Sequence, residues 1–367
     1  MEFIMHMMTI IIISYTSFTT HLTDTILSFF GDAFSTDVAP ATNEESLRPL
    51  PSQFAEHTYI PDILLRSATY QQAAVATANT VWNTTSDPMQ AIVNIYCTSI
   101  TSKQIRTTTG TGFFVHPNGI IMTNAHVAQF LLLENTGAFG DTSCIIRNGN
   151  PAAPRYHAEL LYISPAWINK NASLIDDKAP SGTGERDYAL LYVTSSVDDS
   201  PLPTEFPALA IDSTPLTRTV TGNTVVAAGY PAGALLRGGT DTDLLPREAS
   251  TTISELYTFT TNQADVIALR GSSMGEQGSS GGPVVNGRGA VIGMITTRGN
   301  DTTDGAGSLR AISMTHINHT ITEETGTSLA ANLAGNAPTR ATAFASTMAP
   351  FLTSLLVKEI PATHQSR

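Results

Sequence analysis

Charge is scarce in this sequence. Of its 367 residues only 14% are charged, against about 25% in a typical soluble domain. Acidic residues outnumber basic ones 31 to 19, for a net charge of −12, and no basic block occurs. A chain this acidic is a poor binder of phosphate backbones, so no nucleic-acid partner is expected. Cysteine is confined to Cys97 and Cys144. No C-x-x-C or Cys/His spacing suggests zinc. Two readings stay open for the pair: unrelated buried thiols, or one disulfide, which would imply an oxidising compartment. His316 and His319 form an H-x-x-H pair without a further Cys or carboxylate at ligand spacing. No metal and no cofactor are expected.

Long apolar runs are also lacking, with one exception at the N-terminus. From Phe3 to Phe18 only His6 and a few hydroxyl residues interrupt an apolar stretch. A spanning helix needs about 20 residues, so this one is short. It is similar to the apolar region of a secretory signal, although Glu2 is the first charge and no Lys or Arg precedes the run. A small-x-small site, Ala39-Pro40-Ala41, lies further downstream than usual. Residues 1–30 read as a signal-like or membrane-tether segment. That reading places the protein outside the cytoplasm, secreted or tethered. The alternative is an apolar helix packed on the domain.

What is present fits a globular β protein. Apolar residues make up 41%, enough for a packed core. Thr, Ser, Gly and Val abound, which favours strands and turns. Residues 31–84 read as a linker with Pro40, Pro49, Pro51 and Pro61, followed by a helix over 63–82. Leu64, Leu65, Ala68, Ala73, Ala74 and Val75 would supply its apolar positions. Residues 321–367 read as a helical extension. Phe344, Met348, Phe351, Leu352, Leu355 and Leu356 predict one amphipathic helix over 340–359, with its stripe as a docking face. Between the ends, short apolar or alternating runs fall at 91–98, 112–115, 120–123, 157–163, 188–193, 224–229, 258–269, 283–285 and 290–296. Gly, Pro, Asn or Asp punctuate most intervals, which predicts an antiparallel sandwich or barrel. No internal repeat is visible.

Three segments carry chemistry. In the first, 109–130, a strand turns at Pro117-Asn118-Gly119 and returns into Asn124-Ala125-His126. His126 thus sits at a strand end, where a rigid scaffold can aim a base. In the second, Asp187 opens the apolar run Tyr188–Val193. A carboxylate at a core boundary is costly unless paired, and an imidazole N–H is a suitable partner. In the third, Gly275–Asn286, glycines flank Ser280 and a Pro-Val-Val strand follows. Such a turn can point backbone N–H groups into one concavity beside an exposed hydroxyl. A serine hydroxyl needs a base, and the base needs an orienting carboxylate.

These segments resemble the catalytic segments of trypsin-like serine proteases. T-N-A-H at 123–126, D-Y-A-L-L at 187–191 and G-S-S-G-G-P at 278–283 carry the likeness. G-T-G-F at 110–113, M-T-N-A-H-V at 122–127 and G-Y-P at 229–231 make it closest to bacterial HtrA-like members, here with no room for a PDZ module. The resemblance covers roughly residues 88–320. It implies a mainly β fold of two packed antiparallel barrels within 85–320, split near 200–215. The site would lie in the cleft between them. His126, Asp187 and Ser280 would be catalytic, and the N–H groups of Gly278 and Ser280 would form the oxyanion hole. Protein or peptide substrates are implied; the oligomeric state is not.

Departures from the pattern also inform. Ser279 stands where digestive proteases carry Asp before the nucleophile, which argues against activation by a newly cut N-terminus. Residues 164–186 look like an inserted loop that could border the cleft. Met274 would sit at the base of the primary pocket, with Ile295, Thr296 and Thr297 along its wall and Thr296 able to bond Asp187. That implies a small or medium apolar side chain before the cut, with Met274 as plain core the alternative. Gly278–Gly282 also fits a G-x-S-x-G elbow, with Asp301 or Asp304 and His316 or His319 in the matching order, but such an elbow needs a helix after the serine. A further alternative is a non-catalytic protein-binding module on the same fold.

Overall fold

The structure, a computed structural model, describes residues 47–54, 67–74, 82–101, 105–177, 183–233, 243–259, 263–271, 274–298 and 308–360. The signal-like segment 1–30, the first part of the linker, Leu64, Leu65, Val75, Asp301 and Asp304 lie outside the described residues. All of the described residues belong to one structural unit. None of its helices is long and apolar enough to cross a membrane.

Two sheets account for the strands. The first is a closed barrel built from β2 (Ile92–Ile100), β3 (Ile105–His116), β4 (Ile120–Thr123), β5 (Asp141–Asn148), β6 (Ala153–Ile163) and β7 (Ala189–Ser196), in the order β2-β3-β4-β7-β6-β5. The second contains β8 (Thr224–Gly229), β9 (Arg247–Thr258), β10 (Val266–Leu269), β11 (Pro283–Val285), β12 (Val291–Arg298) and β13 (Leu309–Ser313). They run β9-β10-β13-β12-β11-β8, and a β8–β9 pairing closes this ring as well. All pairings within both rings are antiparallel. The two-barrel expectation therefore stands. The connection between barrels runs over 197–223.

Both barrels are filled by the inward residues of short strands, as full closure removes exposed edges. Three strands have no counterpart among the expected runs: β5, β9 for most of its length, and β13. β9 reads REASTTISELYT and buries mainly Thr251, Ile253, Leu256 and Tyr257. Its outward polar residues hide the alternation. The expected strand 258–269 is instead the end of β9 and all of β10. Asp265 breaks it: its carboxylate turns back to accept from Phe259 N at 2.8 Å.

Helices surround the barrels. α1 (Ala68–Ala74), α2 (Pro88–Ala91) and α3 (Ala125–Ala128) are short. The presumed loop at 164–186 begins with α4 (Pro165–Asn171), whose start is set by Ser164, accepting from Trp167 N at 3.2 Å, and Pro165 in the first turn. That is a capping signal. After β13 come α5 (Met314–Thr325), α6 (Leu329–Ala334), α7 (Ala337–Thr347) and α8 (Ala349–Glu359). The single helix expected over 340–359 is thus two. Pro350 has no N–H and its ring crowds the preceding turn, so the chain breaks at Met348. Phe344, Met348, Leu352 and Leu356 are fully buried against the first barrel's core. The expected boundary at 320/321 falls inside α5.

Cys97 and Cys144 are bonded, directly opposite each other on β2 and β5. At the other end, β1 (Arg48–Pro49) adds in parallel to β9.

Candidate active site

The register of the first barrel brings two of the candidate residues together. β4 and β7 pair with Thr123 opposite Ala189. The end of β4 and the start of β7 therefore lie side by side. His126, in α3 just past β4, faces Asp187, just before β7. Asp187 Oδ2 lies 2.7 Å from His126 Nδ1, and Oδ1 accepts from His126 N at 2.9 Å. Thr296 Oγ1 donates to Oδ2 at 2.9 Å, from β12 of the second barrel. Asn124 Nδ2 donates to the Asp187 carbonyl at 2.8 Å. An ionised carboxylate only accepts, so Nδ1 carries the proton and Nε2 is left as the basic nitrogen. Burial pushes the His126 imidazolium down; the charge and hydrogen bond of Asp187 outweigh it, and its pKa is raised.

The second barrel contributes a backbone turn. Gly281 N donates to Ile295 O and Ile295 N to Gly282 O, both at 2.8 Å, which extends the β11–β12 ladder to the residue beside Ser280. Gly278 and Gly281 adopt φ of 95° and 88°. A Cβ at Gly281 would meet Thr111 O at 2.0 Å, and one at Gly278 would meet Tyr230 O at 2.5 Å. No side chain fits either place. Around this turn Ser279 N donates to Glu276 O and Gly281 N is spent as above, while the N–H groups of Gly278 and Ser280 have no protein acceptor among the described residues. These are the two amides expected to receive an oxyanion. Ser280 is half-buried. Among the described residues no hydrogen bond joins its hydroxyl to His126.

Thr111 couples the halves, and sequence reasoning missed it. It is fully buried. Its N–H donates to Ser280 O at 2.7 Å, and its Oγ1 donates to Gly278 O at 2.6 Å while accepting from Tyr230 N at 2.9 Å. Thr123 Oγ1 in turn donates to Thr111 O at 2.7 Å. G-T-G-F marked the segment, but nothing in four residues announces partners more than a hundred positions away.

The remaining candidates fall in the second barrel. Met274 and Ile295 are buried in its apolar cluster with Val284 and Leu309. Thr296 is buried and committed to Asp187, and Thr297 follows it on β12, paired with Arg310. His316 and His319 share α5 but part ways: His316 Nδ1 lies 3.0 Å from Asp265 Oδ1 in the interior, and exposed His319 pairs with Glu323. After Ser280 comes strand β11, not the helix an elbow requires.

A family model of the trypsin-like peptidase domain matches residues 110–294, half of the chain. The chain belongs to the trypsin-like peptidase family. Among solved structures this peptidase is similar to the Rv3671c protease from M. tuberculosis in its active form, at 20% identity, 68% of this chain, 87% of that one and a TM-score of 0.39. No curated protein matches it significantly. The matched span holds Thr111, His126, Asp187, Gly278 and Ser280. The bonds of Asp187 to His126 and Asn124 and the free amides of the 278–280 turn therefore lie within the matched span, and Thr296 stands two residues beyond it.

Proposed function

We propose that this peptidase is a serine endopeptidase with His126 as base, Asp187 as its orienting carboxylate and Ser280 as nucleophile. The observation that carries the reading is the His126–Asp187 pair at 2.7 Å, formed across two strand ends and backed by Thr296. The unpartnered amides of Gly278 and Ser280 support the oxyanion role.

The chemistry follows from those atoms. Ser280 Oγ adds to a peptide carbonyl carbon as its proton passes to His126 Nε2. The carbonyl oxygen takes the negative charge and is received by the two amides. His126, now cationic and stabilised by Asp187, gives its proton to the leaving nitrogen as the C–N bond breaks. Water, deprotonated by the same imidazole, then releases the acyl group from Ser280.

The uncharged, buried Met274 favours a small or medium apolar residue before the cut, since a basic side chain would find no carboxylate at that position. The bonded Cys97 and Cys144 favour an oxidising, extracytoplasmic setting, and the HtrA-like motifs agree with it.

A fluorophosphonate probe tests the assignment. It should label the full chain at Ser280, with the adduct found by peptide mass mapping, and Ser280→Ala should abolish both labelling and casein cleavage. Cleavage by Ser280→Ala at the wild-type rate sinks the serine mechanism.

A further inference from the structure

The two residues that precede Asp187 are held from opposite ends of the chain. Arg186 is not glycine, yet its φ is 58°. Residues in that region cost energy and persist where surrounding contacts over-determine them. The contacts come from α5. Arg186 Nη1 donates to Glu324 Oε1 at 2.7 Å and Nη2 to Glu323 Oε2 at 2.6 Å. Glu324 is completely buried and also accepts from Ser164 Oγ at 2.9 Å and from the Tyr162 hydroxyl. On the far side of Asp187, the Tyr188 hydroxyl accepts from Thr320 Oγ1 at 3.0 Å, again from α5. One helix therefore grips both chain neighbours of Asp187.

The second arm is N-terminal. After β1, Ser52 Oγ donates to Glu185 Oε1 at 2.8 Å and Gln53 N to Oε2 at 2.7 Å. The ring of Phe54 lies against the Arg186 guanidinium, 5.4 Å from ring centre to Cζ. Residues 47–54 thus run from β9 of the second barrel to the turn that carries Asp187 in the first. Asp187 N donates to Gly184 O at 3.1 Å within that turn. The groups facing Arg186 are Glu323, Glu324, Tyr188 and Phe54; those facing Glu185 are Ser52, Arg186 and His316.

We propose that Arg186 and Glu185 are positioning residues for Asp187, held by α5 and by the 47–54 strap. This rests on the reading of Asp187 as the carboxylate that orients His126. Both arms lie outside the matched span 110–294, so the site's competence depends on chain beyond the peptidase core.

The test uses the full chain. In Arg186→Ala, kcat on a peptide substrate should fall about 10- to 100-fold, the scale of an ångström-sized misplacement, with KM little changed. The acid limb of kcat/KM should move to lower pH, because Asp187 no longer supports the imidazolium. Arg186→Lys should recover part of both. The low-field proton resonance of His126 Nδ1–H, read in a Ser280→Ala background, should shift or broaden. That signal reports the His126–Asp187 bond whether or not Ser280 is a nucleophile, so failure of the serine mechanism and failure of the clamp are told apart. A folded Arg186→Ala with unchanged kcat, acid limb and resonance overturns the proposal. Should Arg186→Ala not fold, Ser52→Ala removes two bonds of the strap, the one to Glu185 Oε1 and the one Ser52 Oγ accepts from Phe54 N at 3.0 Å; the resonance and acid limb should move in the same direction by less, and their constancy overturns it.

Discussion

The two barrels solve the same task by different means. The first aims side chains: His126 and Asp187 stand on adjacent strand ends, and the carboxylate is filled by three donors. The second mainly aims backbone: besides the Thr296 hydroxyl, its contribution is a turn whose amides and serine are placed by glycines that admit no Cβ. A side-chain site tolerates neighbours of many kinds but not the loss of its own polar atoms. A backbone site tolerates any residue whose side chain stays out, and fails when a support behind it moves. Substitutions in the two halves should therefore fail differently.

The largest separation is expected at Asp187. Asp187→Asn keeps size and shape but can donate where only acceptance serves, and it favours the wrong imidazole tautomer. By the cost of that change in the proposed serine mechanism, kcat should drop about 10,000-fold with the fold retained. The pH profile sharpens the point. In the proposed mechanism His126 must be neutral to accept the serine proton, so kcat/KM should rise with pH through its pKa. Asp187 holds that pKa above the ordinary value of about 6.5, and in Asp187→Asn the residual activity should turn on at lower pH. An unmoved limb would mean that another group sets the base.

That half of the site was legible for a physical reason. A polar residue at the mouth of an apolar strand stands out, and Asp187 before Tyr188–Val193 and His126 after Ile120–Thr123 are both of that kind. So was the Gly-Ser-Ser-Gly turn, because only glycine permits the backbone at 278 and 281. Hidden were residues whose meaning is a distant partner. Thr111 reads as one more β-propensity residue until Gly278 and Ser280 come to lie beside it. Arg186 reads as a loop cation until α5 brings Glu324 to it. Strands β5 and β9 were obscured because their exposed faces are polar and little apolar sequence marks their inner ones. The break at Met348 is marked in the sequence by Pro350, which the helical periodicity of the apolar positions does not register.

Thr111 tests whether the second half truly depends on support from behind. Thr111→Val keeps the volume and the main-chain bond to Ser280. It deletes the donor to Gly278 O and the acceptor for Tyr230 N, both buried. Unpaired groups of this sort cost about 1–3 kcal/mol, so the melting temperature should fall. Displacement of the 278–280 amides should lower kcat by up to about 100-fold, with KM less affected and the acid limb unmoved, since His126 and Asp187 are untouched. Thr111→Ser, which retains the hydroxyl, should behave as wild type. A shifted acid limb in Thr111→Val would show that the barrels are not separable in this way.

The smallest effect should come from Ser279, immediately before Ser280. The residue is 1% exposed, and its hydroxyl has no hydrogen-bond partner among the described residues. A buried hydroxyl without a partner is a cost, and removing it leaves a void of only one atom. Ser279→Ala should therefore raise stability by up to about 1 kcal/mol, seen as a modest rise in the urea midpoint with an unchanged slope. Catalysis should be nearly unaltered, because a backbone site reads the position of residue 279 and not its side chain. A loss of kcat comparable to that of Thr111→Val would show that the Ser279 hydroxyl takes up a partner during turnover, and the contrast between an aimed side chain and an aimed backbone would then fail within the turn itself.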